Sequence, residues 1–154
     1  MGRPKAWLPV GSEVMLQRVV RLLSEVVSPI VVVAAPEQEL PPLPDSTRIT
    51  RDPEEGQGPL RGLATGLAAL CPGQCEGVYL SACDVPLLQP AFVQRIIDSL
   101  GDADVCLPRV EGYLHPLAAV YRVGVRSRAE ELLAAGRRRP WDLIESVRHR
   151  ILEA

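Results

Sequence analysis

Ile30-Val31-Val32-Val33-Ala34-Ala35 is an unbroken run of β-branched and small apolar residues. A strand with one wet face alternates apolar and polar positions. This one does not, so both of its faces must be covered, as in the parallel sheets of α/β proteins. The flanking sequence supplies the covering elements. Residues 13–27 carry apolar positions at helical spacing (Met15/Leu16, Val19/Val20, Leu22/Leu23, Val26/Val27), with Ser12 as the N-cap and Ser28-Pro29 as the stop. Further strands are expected over 47–51, 77–83, 104–109 and 116–122. Further helices are expected over 59–70, 90–100 and 127–135, with Gly136 as a C-cap and a last short helix over 141–147. Strands alternating with helices predict an α/β fold: a mainly parallel sheet between two helical layers.

A chain of 154 residues makes one such domain, spanning 1–154, and its 47% hydrophobic content is enough for a core. No apolar run approaches the ~20 residues of a membrane helix, and the N-terminus opens no signal-peptide core, so a cytoplasmic protein without membrane contact is expected. A net charge of −2 with no basic tail excludes a general nucleic-acid binder. Cys71, Cys75, Cys83 and Cys106 fit no zinc or disulfide spacing and read as reduced thiols. The chain opens on a loop and a helix. Doubly wound folds usually open on a central strand and a phosphate-binding loop, which are absent here.

A few residues have the right chemistry for a site. Asp84 follows the strand Val78–Cys83, at the carboxyl end where open α/β sheets place ligands. There a carboxylate can hold Mg²⁺ against phosphate oxygens, although it serves equally as a turn or N-cap residue. Gly56-Gln57-Gly58-Pro59-Leu60-Arg61-Gly62 places three glycines around a helix start, where backbone N–H groups favour an anion. Close helix packing, helped by Gly62 and Gly66 four residues apart, explains the same pattern. Lys5 is the single lysine among 17 basic residues, a compact charge able to follow a phosphate through reaction. Asp52 before Pro53, and His115 before Pro116, read either as turn residues or as pocket residues. Arg137-Arg138-Arg139 reads as a solvated helix-end cluster or a phosphate contact.

Together these segments resemble a known family. Met1-Gly2-Arg3-Pro4-Lys5-Ala6-Trp7-Leu8-Pro9-Val10-Gly11 is similar to the second half of L-A-G-G-x-S-x-R-M-G-x-x-K, the signature of the molybdenum cofactor guanylyltransferase (MobA-like) nucleotidyltransferases. Gly58-Pro59-Leu60-Arg61-Gly62 resembles that family's G-P-L-x-G. Cys83-Asp84-Val85-Pro86 resembles its C-D-x-P, and His115-Pro116-Leu117-Ala118-Ala119-Val120-Tyr121-Arg122 its H-P-L-x-A-x-Y-R. The motifs occur in the family order and span most of the chain. The resemblance implies a three-layer, Rossmann-like nucleotidyltransferase fold. It also implies transfer of GMP from GTP to the terminal phosphate of molybdopterin with release of pyrophosphate. On the matching positions, Lys5 is implied as a catalytic phosphate ligand and Asp84 as the catalytic Mg²⁺ ligand. Asp52, Gly58, Pro59, Leu60 and Gly62 are implied as nucleotide contacts, and His115 and Arg122 as substrate contacts. The partners implied are GTP, molybdopterin and other molybdenum cofactor biosynthesis proteins.

The sequence also departs from the pattern. The family's first strand with L-A-G-G-x-S-x-R and its C-terminal N-x-N-T-P-like segment are not matched. The expectation is a domain truncated at both ends, with a groove or two open edges in the sheet, and little or no activity in the 154-residue form. Ala34-Ala35 stands where the guanylyl enzymes often carry an Asn. Pro4-Lys5 is as typical of molybdopterin cytidylyltransferases. A cytidylyl- or sugar-phosphate nucleotidyltransferase, and a non-catalytic nucleotide-binding relic, are therefore the competing readings.

Overall fold

The structure is a computed structural model that describes residues 4–153. Met1, Gly2 and Arg3, which take part in the N-terminal resemblance, lie outside the described residues. A 3-10 turn, Lys5–Trp7, leads into a small hairpin of β1 (Pro9–Val10) and β2 (Glu13–Val14) around Gly11 at φ +64°. The first helix, α1 (Met15–Ser24), therefore starts two residues later than its apolar periodicity predicts. Ser12 lies in the hairpin turn, and the side-chain oxygen of Gln17 accepts the Val14 N–H at 3.2 Å in place of a Ser12 cap. Residues Met15, Leu16, Val19, Val20 and Leu23 form the buried face of α1.

Next come β3 (Val31–Ala34), β4 (Arg48–Arg51), α2 (Pro59–Ala68), β5 (Gly77–Ser81) and α3 (Pro90–Asp98). They are followed by β6 (Val105–Val110), β7 (Tyr113–Leu114), β8 (Ala118–Arg122), α4 (Arg126–Ala134), α5 (Pro140–Glu145) and β9 (His149–Glu153). Pro59, Pro90 and Pro140 each open a helix at its first turn, where the missing N–H is not needed.

β3 and β4 pair in parallel, Val31 opposite Arg48 through Ala34 opposite Arg51. A second sheet has the order β5-β8-β6-β7, with β9 pairing in parallel with β6. Within it β5, β6 and β9 share one direction, while β8 and β7 run the other way. The reversal follows from chain length. Glu111 at φ 49° and Gly112 at φ 84° turn β6 directly into β7, far too few residues for a parallel crossover. β9 was not expected from its sequence, because His149 and Arg150 on this edge strand break the apolar pattern.

Helices cover both faces. On one, α2, α4 and α5 pack Leu60, Leu63, Ala64, Leu67, Ala129, Leu132, Leu143 and Ile144 onto Val105, Leu107, Ala119 and Tyr121. On the other, α1 and α3 bring Val19, Leu23, Val93 and Ile96 against the opposite side. Leu60, Tyr121, Leu143 and Ile144 are fully buried, and each of the three aliphatic ones stabilises the fold by about 1.5–3 kcal/mol.

The two sheets do not share a ladder. Between β3 and β5 lies a cleft of about 820 Å³, walled by Val31–Val33, Val78–Ser81 and the facing sides of α1 and α2. Val31, Val32 and Val33 are only half-buried for this reason. The run that demanded cover on both faces is covered, but one of its edges is open.

Candidate active site

The site forms where the strands end. Lys5 is presented by the 3-10 turn, which is anchored by buried Ala6 and by the Trp7 indole donating to the Glu39 carbonyl at 3.0 Å. Its ammonium donates to Asp84 Oδ2 at 2.5 Å. Asp84 lies just beyond β5 in a turn where Arg18 of α1 donates to the Pro86 carbonyl at 2.8 Å. The two side chains are 79 residues apart in sequence, yet they form one exposed pair, 69% and 35% accessible. The bond from Lys5, more than its charge, holds the Asp84 carboxyl below the usual carboxylate range, and the same bond raises Lys5. Both groups are thus charged at neutral pH. Burial first, and the Asp84 charge second, push the Cys83 thiol up, which favours its protonated form.

Across the cleft mouth, Asp52 follows β4 directly. Its N–H donates to the Ala34 carbonyl at 2.9 Å, and its Oδ1 accepts the Thr65 hydroxyl at 2.6 Å. That bond ties the end of the β3–β4 pair to α2. Gly58 N-caps α2 at φ +80°, ψ 173°, a conformation essentially reserved for glycine. A Cβ on Gly58 would meet the Arg138 carbonyl at 3.3 Å, whereas a Cβ on Gly62 would meet nothing within 4 Å. At Gly66 it would meet Val33 at 3.3 Å, so this glycine serves helix–strand packing. Asp52, Gly58, Pro59, Gly62 and Cys83 all line the same cleft. The structure therefore brings Asp52, Gly58, Pro59 and Gly62 to one cleft, and the Lys5–Asp84 pair lies next to Cys83, which lines the same cleft.

The Leu60 side chain does not reach the cleft, which leaves its backbone N–H on the first turn of α2. It is 0% exposed in the α2–α4–α5 core, because one helix residue after Pro59 turns its side chain inward. Arg122 lines the same cleft, but at its other end. It pairs opposite Gly77, at the far end of β5 from Asp84, and donates to the carbonyls of Ala103 and Gly101. Its role is to close the α3–β6 connection. His115 is exposed at the near end, where the Leu117 carbonyl accepts the Ala82 N–H at 3.2 Å, beside the strand that leads to Asp84. Sequence reasoning did not single out Thr65, which fixes Asp52, or Asp142, whose spacing from Arg137 and Arg139 is the signal that would have found it.

Among the described residues, no group of three or more His, Cys, Asp and Glu side chains is placed to hold a metal. The donor set fits a divalent cation held jointly by Asp84 and phosphate oxygens, since such a cation needs few protein ligands when phosphates supply the others. It does not fit a self-sufficient protein metal centre.

Helices on both faces of a sheet, a glycine turn at a helix start and a cation–carboxylate pair past a strand end define a nucleotide-binding α/β protein. The chain belongs to the MobA-like NTP transferase domain family, which matches residues 1–151. A Mycobacterium avium protein named "Probable molybdenum cofactor guanylyltransferase" is 38% identical over 150 residues, covering 95% of this chain and 75% of its own length. The Archaeoglobus fulgidus molybdopterin-guanine dinucleotide biosynthesis protein A superposes with a TM-score of 0.75 at 17% identity, covering 97% of this chain and 74% of that one. The 2-C-methyl-D-erythritol 4-phosphate cytidylyltransferase of Thermus thermophilus superposes with a TM-score of 0.76 at 17% identity, covering 99% and 84%. Among the described residues, no helix is long and apolar enough to cross a membrane.

Proposed function

We propose that this nucleotidyltransferase moves GMP from GTP to the terminal phosphate of molybdopterin and releases pyrophosphate. The observation that carries the reading is the Lys5–Asp84 pair, adjacent in the chain to Cys83, which lines a cleft together with Asp52, Gly58 and Gly62. An oxygen of the acceptor phosphate attacks the α-phosphorus, the bond from the α-phosphorus to the bridging oxygen breaks, and pyrophosphate leaves with that oxygen. Such a transfer needs positioning and neutralisation of charge rather than a covalent nucleophile. Lys5 supplies a cation that stays on the phosphate oxygens as charge shifts toward the leaving group. Asp84, charged at neutral pH, would hold Mg²⁺, which when bound withdraws charge from the phosphate oxygens. Asp52, fixed by Thr65, and the Gly58 turn with Pro59 and Gly62 would receive the nucleotide, with the first N–H groups of α2 facing its phosphates. His115 sits at the same end and is assigned to the acceptor side.

A cytidylyl donor is the second reading. It is favoured by Pro4-Lys5 and by a likeness of fold to a cytidylyltransferase. Thermal stabilisation by GTP·Mg²⁺ against CTP·Mg²⁺, together with pyrophosphate release in the presence of molybdopterin, decides between them. GTP should give the larger shift, and Lys5→Ala and Asp84→Ala should abolish release. An equal or absent response to GTP overturns the guanylyl assignment. Release that survives both substitutions overturns the catalytic one.

A further inference from the structure

The three arginines after α4 have no part in the reading above, and the structure shows that they are not equivalent. Arg137 donates to Asp142 Oδ1 at 2.6 Å, and Arg139 donates to the same oxygen at 3.0 Å. The Arg139 backbone N–H reaches Asp142 Oδ2 at 3.3 Å. Asp142 is 4% exposed, a buried carboxylate with two guanidinium partners. The bend is fixed on its other side too: Gly136 takes φ +79°, and the Arg137 N–H donates to the Leu132 carbonyl at 2.9 Å. Arg137 and Arg139 remain 53% and 75% exposed, so the cluster is solvated on its outer side and anchored on Asp142 on its inner side.

Arg138 is the residue left over. Its side chain is exposed, and it makes no ion pair or side-chain hydrogen bond among the described residues. Its backbone rests on the glycine turn: a Cβ on Gly58 would lie 3.3 Å from the Arg138 carbonyl oxygen and 3.8 Å from the Arg138 Cβ. The bend therefore places one uncommitted guanidinium within side-chain reach of the α2 N-terminus. On that same first turn, Arg61 Nε is buried without a partner, a second unused donor.

The geometry points to Arg138 as a ligand of a substrate phosphate, and to Asp142 as the residue that positions it by holding Arg137 and Arg139. This rests on reading the cleft mouth as the phosphate-transfer site. The phosphate is either that of the nucleotide or the phosphomonoester of the acceptor, and both offer the same oxygens to a guanidinium fork.

The test starts with inorganic tripolyphosphate binding measured by calorimetry on the whole chain. Arg138→Ala should weaken it at least about tenfold, the loss of one charge-assisted hydrogen bond. Arg138→Lys should recover part of the loss. Arg128→Ala, which removes an exposed helical charge elsewhere, should stay within twofold. Asp142→Asn should weaken binding in wild-type background but add less than twofold to Arg138→Ala, because it acts through Arg138. A merely structural role for Asp142 would lower affinity in both backgrounds. KM for GTP and for molybdopterin, measured separately, then shows which phosphate Arg138 holds: the affected KM rises while kcat changes less. Wild-type chain that ignores tripolyphosphate, or Arg138→Ala that binds it normally, overturns the inference whatever the activity. Arg138-dependent tripolyphosphate binding without GTP turnover upholds the inference and overturns the guanylyl reading instead.

Discussion

Gly62→Ala separates what the glycine turn does for the fold from what it does for the ligand. Gly62 lies inside α2, where glycine costs about 0.8–1 kcal/mol relative to alanine. A methyl group there meets nothing within 4 Å, so no packing is disturbed. The substitution should raise stability by nearly the whole propensity difference, a Tm increase of about 2–4 °C for a domain of this size. The same methyl enters the cleft that Asp52 and Gly58 line, so nucleotide affinity should fall as stability rises. Differential scanning calorimetry gives the first quantity and titration with GTP·Mg²⁺ the second. Gly58→Ala is the counterpart. Its backbone conformation costs a non-glycine residue about 1–3 kcal/mol, and its Cβ would also press on the Arg138 carbonyl at 3.3 Å. Its Tm should drop by roughly 3–10 °C. A Gly62→Ala protein that melts lower than wild type, or binds GTP as well, refutes the argument that this glycine is kept for the ligand.

Lys5→Ala should leave the melting temperature near that of wild type, because the Lys5–Asp84 pair is exposed, yet cut pyrophosphate release by at least about 10²-fold, to the background level. Lys5→Arg should restore charge but only part of the rate, since a planar fork cannot follow the phosphate as a compact ammonium does. Leu60→Ala should cost about 2–5 kcal/mol in urea denaturation, as a core residue would, and a surface-like cost would return Leu60 to the nucleotide loop. Asp142 titrates well below its ordinary value of 3.8, chiefly through the bond from Arg137 and then that from Arg139. A lowered carboxylate pKa contributes stability that is in place above the unfolded value and is lost progressively as pH falls from there through the lower folded value. The stability gap between wild type and Asp142→Asn should therefore hold from pH 7 to about 5 and shrink below pH 4. A gap that does not change with pH would show that the charge is irrelevant.

Much of this was legible before the structure. The continuous apolar run at 30–35 became β3, and all five helices were expected from their periodicity and opening prolines. Asp52, Gly58, Pro59 and Gly62 line one cleft, because β4 ends and α2 begins there, as the sequence pattern predicts. Other features depend on partners that a one-dimensional pattern does not contain. β1 and β2 have two residues each, too short for alternation to show, and β7 is no longer. Leu60 and Arg122 sit inside motif-like strings, but helical phase buries the first and strand register carries the second to the wrong end. The three arginines looked alike in sequence, and only the burial of Asp142 distinguishes them.

The open edge between β3 and β5 divides the molecule's cooperativity as well as its surface. β3 and β4 are joined to the other strands through helix packing and the Asp52–Thr65 bond, with no shared ladder. Local opening of that pair therefore breaks few hydrogen bonds, and its backbone amides should exchange with solvent deuterium well before those of β6 and β8. Asp52 rides on the end of this looser unit, while Asp84 is anchored to the firmer one. The Thr65 bond is then what keeps Asp52 in place when the pair opens, whereas Asp84 needs no such tie.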